Sequence, residues 1–216
     1  MKNIIIGIFF LFQFNLYSQK MFSPDKVDYE KTTLVFFHPY LNNENFFKDF
    51  SNEFKNYNVI FFRGGQGEEN IFSWYDIGYN EKNGSWILNK EYYNTVLNNI
   101  NNDLKPFKKI WLVGYSQGGV IANGLFLLNP KKYSKIVSIN SYFDTAIMKN
   151  IKLNKSSIYF IYGENDYIIN PDLTKQSLKY LKDQGINLSI LKHSDFHNIS
   201  VKTYNKISHF IKQTNK

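Results

Sequence analysis

A chain of 216 residues, 43% hydrophobic and 20% charged, holds one domain with a substantial core and is too short for two ordinary ones; the same proportions exclude a disordered chain. Its formal charge is +8, yet Arg63 is the single arginine and the lysines lie scattered among asparagines, so the arginine-rich cluster of a nucleic-acid reader is missing and no nucleic-acid partner is expected. Cysteine is absent, which excludes disulfides, thiolate catalysis and cysteine-ligated zinc.

Met1-Lys2 precede an apolar run over 4–16 that only Gln13 and Asn15 interrupt, and a small residue, Ser18, stands before the composition changes. This is the layout of a secretory signal peptide, and it falls short of the ~20 apolar residues that span a bilayer. The expectation is a leader over 1–19, cleaved near Ser18 or Gln19. The mature chain over 20–216 would be exported, periplasmic or secreted, without stable membrane insertion; the alternative is a buried N-terminal strand. No cysteine follows the apolar run, so a lipoprotein anchor is excluded.

Residues 21–31 are polar and mixed. Leu34-Val35-Phe36-Phe37 then reads as a central strand stopped at His38-Pro39. Phe46, Phe47, Phe50 and Phe54 fall at helical spacing and predict a helix over 44–57, and Val59-Ile60-Phe61-Phe62 predicts the next strand. Residues 63–86 carry five glycines and a cluster of aromatics, which suits no regular element; loops of that length in compact domains are usually functional. Tyr92, Tyr93, Val96, Leu97 and Ile100 predict a helix over 89–104, with Pro106 beyond its end. Further strands are expected at 110–113, 136–139, 157–162 and 187–191. Helices are expected after Gly119, over 172–184 with Gly185 closing it, and over 198–212. Strands alternating with helices at this interval imply a single α/β domain whose mostly parallel sheet is covered by helices on both faces.

Within that alternation, Trp111-Leu112-Val113-Gly114-Tyr115-Ser116-Gln117-Gly118-Gly119 runs from an apolar strand through Gly-x-Ser-x-Gly into a helix. Such a corner raises the serine hydroxyl above the sheet edge, and Gly114 and Gly118 keep Cβ atoms out of the way. Ser116 is the candidate nucleophile. A serine hydroxyl needs a base within hydrogen-bond reach and a group that orients the base, and behind an elbow of this kind the chain order is Ser, then Asp or Glu, then His. Of four histidines, His38 and His209 read as structural. His193 and His197 flank the loop after the last strand, and His197, farther from that strand, is the preferred base. Asp166, in the turn Gly163-Glu164-Asn165-Asp166 at the end of a strand, is the preferred orienting acid; its bland reading is a turn aspartate bonding its own backbone. Glu164 and Asp172 are weaker contenders, Asp172 reading rather as a helix N-cap after Pro171. An oxyanion needs two backbone N–H donors. Gln117 supplies one, and since Pro39 has no N–H, Tyr40 supplies the other. Trp74 and Tyr75, with Tyr79 and Trp86, are candidates to line a substrate pocket.

These residues resemble the phospholipase/carboxylesterase branch of the α/β-hydrolases, which includes the acyl-protein thioesterases. The likeness rests on Gly114-Tyr115-Ser116-Gln117-Gly118-Gly119, on Ser73-Trp74-Tyr75-Asp76, on Gly163-Glu164-Asn165-Asp166-Tyr167-Ile168-Ile169 and on His197, and it spans nearly the whole mature chain. It implies an α/β-hydrolase without a separate lid domain, hydrolysing small soluble esters or thioesters through Ser116, Asp166 and His197, with no metal and no cofactor. Acetyl or feruloyl esters on carbohydrate are a narrower possibility, and a non-catalytic binding protein on the same scaffold is the alternative. The chain departs from the family in carrying His38-Pro39 where His-Gly is usual, and Asn170 where a proline is usual, with Pro171 one place later.

Overall fold

The computed structural model describes residues 19–24, 26–80, 85–144 and 157–213, and for 77–80 and 85–88 it describes the backbone alone. The leader expected over 1–19 lies outside the described residues except for Gln19, whose side-chain oxygen accepts a bond from Asn99. Seven strands form one sheet: β1 (Lys20–Phe22), β3 (Asn58–Arg63), β2 (Thr32–Phe37), β8 (Lys109–Tyr115), β9 (Tyr133–Ile139), β10 (Ser157–Gly163) and β11 (Asn187–His193), in that spatial order. All neighbours pair parallel except β1, which runs antiparallel to β3.

Alternation along each strand sends successive side chains to opposite faces. Val35, Phe37, Ile110 and Leu112 face α2 (Lys90–Asp103), α3 (Gln117–Leu128) and α4 (Pro171–Asp183), meeting Tyr93, Val96, Ile121 and Leu181. Leu34, Phe36, Trp111 and Val113 face the other layer, where Phe47 and Phe54 sit beside Ile207 and Ile211 of α5 (Val201–Gln213). β2 is buried over all but its first residue because it lies mid-sheet under both layers; its apolar side chains, Leu34 to Phe37, each contribute about 1.5–3 kcal/mol by leaving water. Asn89 caps α2 through its side-chain oxygen on the Tyr92 N–H. Gly185, at φ +65, ends α4.

Three expectations change. The helix expected over 44–57 shrinks to a 3₁₀ turn, Glu44–Phe47, and one α-helical turn, α1 (Lys48–Ser51). Its four phenylalanines serve a compact aromatic cluster about Phe36 rather than one long stripe. Residues 63–86 are not irregular: β4 (Gln66–Glu68) pairs with β5 (Ile71–Ser73) and β6 (Ile77–Asn80) with β7 (Ser85–Leu88), each antiparallel. Gly67 at φ +136 and Glu69 at φ +55 make the first hairpin's backbone possible. Asp172 is not an N-cap; Asn170 caps α4 by accepting from the Asp172 N–H at 2.8 Å, with Pro171 at the first helical position, and Asp172 pairs with Lys175.

The lone arginine has a place in this frame. The guanidinium of Arg63 lies 5.2 Å from the Phe22 ring centroid and 4.4 Å from that of Phe72, with Glu44 at 3.7 Å, and so ties β1, β5 and the 3₁₀ turn to the end of β3.

Candidate active site

The strands carry the reactive groups out at their carboxyl ends, where open α/β sheets hold ligands. Ser116 stands between β8 and α3 at φ +53, ψ −120, a conformation that costs a residue with a Cβ about 1–3 kcal/mol. The corner is held by the Ser116 N–H, which donates to the Ile139 carbonyl of β9 at 2.9 Å. It also depends on two glycines: a Cβ on Gly114 would strike the Gly118 carbonyl, and one on Gly118 would strike the carbonyls of Phe37 and His38 at the end of β2. Gly118→Ala is therefore expected to push that end of β2 away, costing about 2–3 kcal/mol and, by moving the loop that bears Tyr40, lowering ester turnover further than the stability loss accounts for. Urea unfolding and turnover measured on the same preparation test this.

Ser116 Oγ lies 3.0 Å from His197 Nε2, and His197 Nδ1 lies 2.7 Å from Asp166 Oδ2. The structure thus brings His197 to a residue 81 positions before it and to another 31 positions before it. Asp166 does two things at once. Its Oδ1 accepts the Ile168 and Ile169 N–H groups at 2.9 and 3.0 Å, the turn expected of an aspartate here, and this leaves Oδ2 aimed at the imidazole. Both side chains are largely shielded, at 6% and 16% exposure, so their bond is stronger than it would be in water. His197 is steadied from below by Tyr115, whose ring stacks on it at 5.4 Å and whose hydroxyl donates to the His197 carbonyl. Burial raises the Tyr115 phenol above its ordinary range, with Asp166 adding to the rise, so it remains a donor. Phe196 takes φ +54, and its carbonyl occupies the space that a Cβ on Gly163 would fill.

The β2 side of the site differs from expectation in one respect. Trp74 and Tyr75 are 0% and 3% exposed and belong to the core, so they do not line an open pocket. Trp74 Nε1 donates to the His38 carbonyl at 2.8 Å, and the Gln117 side chain grips the same stretch by accepting from Trp74 N–H and donating to the Tyr75 carbonyl, both at 2.9 Å. The side chains of Tyr79 and Trp86 lie outside the described residues. Glu164 pairs with Lys192 at the surface, and His209 is exposed on α5.

His38 is structural, as read. Its Nδ1 donates to the Pro39 carbonyl at 2.7 Å and its Nε2 accepts from the Gly64 N–H at 2.9 Å, which requires the neutral ring. Burial pushes this imidazole down to about 4, the Pro39 bond opposing the fall and Arg63 adding to it. An unfolded histidine takes its proton near pH ~6.5, so between the two values the unfolded chain binds more protons and stability drops as pH falls. The drop due to this residue is about 3 kcal/mol, at ~1.4 kcal/mol per unit. His38→Gln should be the less stable protein at pH 8, and the gap to wild type should close by about that much at pH 4 in urea titrations.

Residues 23–215 match the model of a family described as phospholipase/carboxylesterase. The chain belongs to that family. Like it, the chain is an α/β-hydrolase and a serine hydrolase of ester bonds. Among solved structures, a carboxylesterase from Bacillus cereus is 18% identical with a TM-score of 0.78, the match covering 92% of this chain and 98% of that one. YahD, solved with malic acid, is 15% identical with a TM-score of 0.76, covering 92% and 100%. Acyl-protein thioesterase 2 of Zea mays is 14% identical with a TM-score of 0.67, covering 91% and 98%. No curated protein sequence matches this phospholipase/carboxylesterase-family chain.

Several supports of the site have no signal in sequence. The grip of Gln117 on residues 74 and 75, the Tyr115 hydroxyl on residue 197 and the amide of Asn140, which reaches the same loop, join residues far apart in the chain. Only their place inside Gly-x-Ser-x-Gly hints at Tyr115 and Gln117.

Proposed function

We propose that this chain is a carboxylesterase acting on small, soluble carboxylic esters, thioesters included, with Ser116 as nucleophile, His197 as general base and Asp166 as the group that orients it. The observation that carries the reading is the unbroken chain from hydroxyl to imidazole to carboxylate, at 3.0 and 2.7 Å. As Ser116 Oγ forms its bond to the ester carbonyl carbon, its proton passes to His197 Nε2; Asp166 Oδ2 keeps Nδ1 protonated and steadies the imidazolium. The carbonyl π pair moves onto oxygen, and the backbone N–H groups of Gln117 and Tyr40 receive that charge. Collapse expels the alcohol, which takes the proton from Nε2, and leaves an acyl group on Ser116. Water, deprotonated by the same imidazole, attacks it and releases the acid. Support for the Gln117 donor is its place at the first position of α3, where backbone N–H groups have no partner within the helix. Support for Tyr40 is the seating of the end of β2 against Gly118. The reading includes export after removal of residues 1–19, for which intact mass of the protein recovered outside the cytoplasm is the check.

The test is labelling with a fluorophosphonate followed by peptide mapping, together with p-nitrophenyl esters of increasing acyl length, a thioester and acetylated xylan. Label on Ser116 with ready hydrolysis of short esters is expected. A folded protein that takes no label and hydrolyses nothing would be a binding protein on a hydrolase scaffold.

A further inference from the structure

His193 is the histidine set aside in favour of His197, yet its side chain is 6% exposed and fully engaged. Nε2 lies 2.9 Å from Asn140 Oδ1, while Nδ1 accepts the Asp195 N–H at 3.2 Å. An oxygen partner on one side and an N–H on the other fix a neutral ring with its proton on Nε2. Burial, which lowers the basicity of this imidazole, favours the same form, against the pull of Asp195 and Asp166 and together with the push of His197.

Asn140 is anchored through both its backbone and its side chain. It follows the last residue of β9 at φ +42, its N–H donates to the Ile161 carbonyl of β10 at 2.8 Å, and the carbonyl just before it, that of Ile139, holds the Ser116 N–H. The left-handed backbone turns its 1% exposed side chain over the strand ends. There Oδ1 meets His193 and Nδ2 donates to the Asn198 carbonyl at 3.3 Å. One amide therefore bridges the two ends of the segment that carries His197, and the backbone bearing that amide is in direct register with the nucleophile.

We propose that Asn140 and His193 form a clasp that sets the distance between His197 and Ser116, acting as positioning residues for the hydrolysis; the inference rests on the esterase reading given above. The loop from 194 to 200 has a single backbone hydrogen bond of its own among those described, Asn198 N–H to the Asp195 carbonyl. Without the clasp it is held by the Tyr115 hydroxyl, by the His197–Asp166 bond itself and by the bond that Asp195 accepts from the Thr203 hydroxyl of α5. A displacement of about 1 Å at the reacting atoms is enough to cost ~10²-fold in rate.

The experiment compares His193→Ala, His193→Gln and Asn140→Gly with wild type in kcat, KM and the low-field NMR resonance of the His197 Nδ1 proton. Glutamine places an amide N–H close to where Nε2 stands, and glycine accepts the positive φ while removing the side chain that carries the amide. Expected are kcat values ~10–100-fold lower in the alanine and glycine variants, KM within about 3-fold, and a broadened or lost resonance. The glutamine variant should recover both rate and resonance. Wild-type kcat and resonance in either depleted variant overturns the clasp, as does a glutamine variant no better than alanine; should one variant fail to fold, the other decides. A wild-type protein that shows the resonance and hydrolyses no ester would sink the esterase reading alone, and the clasp would then be judged on the resonance.

Discussion

Ser116→Ala is expected to lower kcat by at least ~10³-fold, and toward ~10⁶-fold if hydroxyl and imidazole act as one unit. The smaller figure already corresponds to about 4 kcal/mol of lost transition-state stabilisation. The deletion removes a single oxygen, leaving His197 Nε2 facing a methyl group and the proposed oxyanion donors in place, so the residual rate measures what binding and those donors supply. Fold and substrate binding should change little, because alanine at φ +53 bears the same backbone strain as serine. Ser116→Gly provides the contrast: equally inactive, but more stable by about 1–2 kcal/mol as the strain relaxes. Ester turnover and urea unfolding of the two variants test both halves, and hydrolysis at the wild-type rate by purified Ser116→Ala would end the assignment of the nucleophile.

Asp166→Asn should be nearly as severe, at ~10⁴-fold in kcat, with the fold intact. The geometry says why. Oδ1 is committed to the N–H groups of Ile168 and Ile169, so an asparagine keeps its oxygen there and turns its NH₂ toward His197. The imidazole must then accept at Nδ1, its proton moves to Nε2, and no lone pair remains for the Ser116 hydroxyl. Asp166→Ala lacks this inversion but also loses the turn, and should be the less stable of the two. A thermal midpoint close to wild type alongside the rate loss is the expected signature for asparagine; retention of more than about a tenth of the rate would refute the tautomer argument.

The parts of this molecule legible in its sequence are those where local chemistry and long-range packing agree. Gly114 and Gly118 announce a close backbone approach, and the strand before Ser116 is apolar on both faces because both are covered. Asp166 was readable since its turn and its partner use different oxygens. Legibility fails where the partner is remote. β1 is three residues of mixed character that become a strand only by pairing with β3, and β4 to β7 are too short for alternation to show. Trp74 carried the composition of a binding surface and became core because the His38 carbonyl and the Gln117 side chain, 36 and 43 positions away, hold it in. Asn140 gave no sign at all: one asparagine in a chain rich in them, distinguished by a backbone angle and by partners 53 and 58 residues on.

The pair of hydrogen bonds between the Gln117 side chain and the main chain of residues 74 and 75 separates two design problems. Upstream of that knot, β4 and β5 form a ribbon fastened to the β2 loop by the Asn42–Phe72 bridge and the Asn43–Asn70 bond, and to β3 by the Arg63 guanidinium over the Phe72 ring. With those fastenings kept, the turn of the ribbon is where a graft is expected to leave the Ser116 hydroxyl undisturbed.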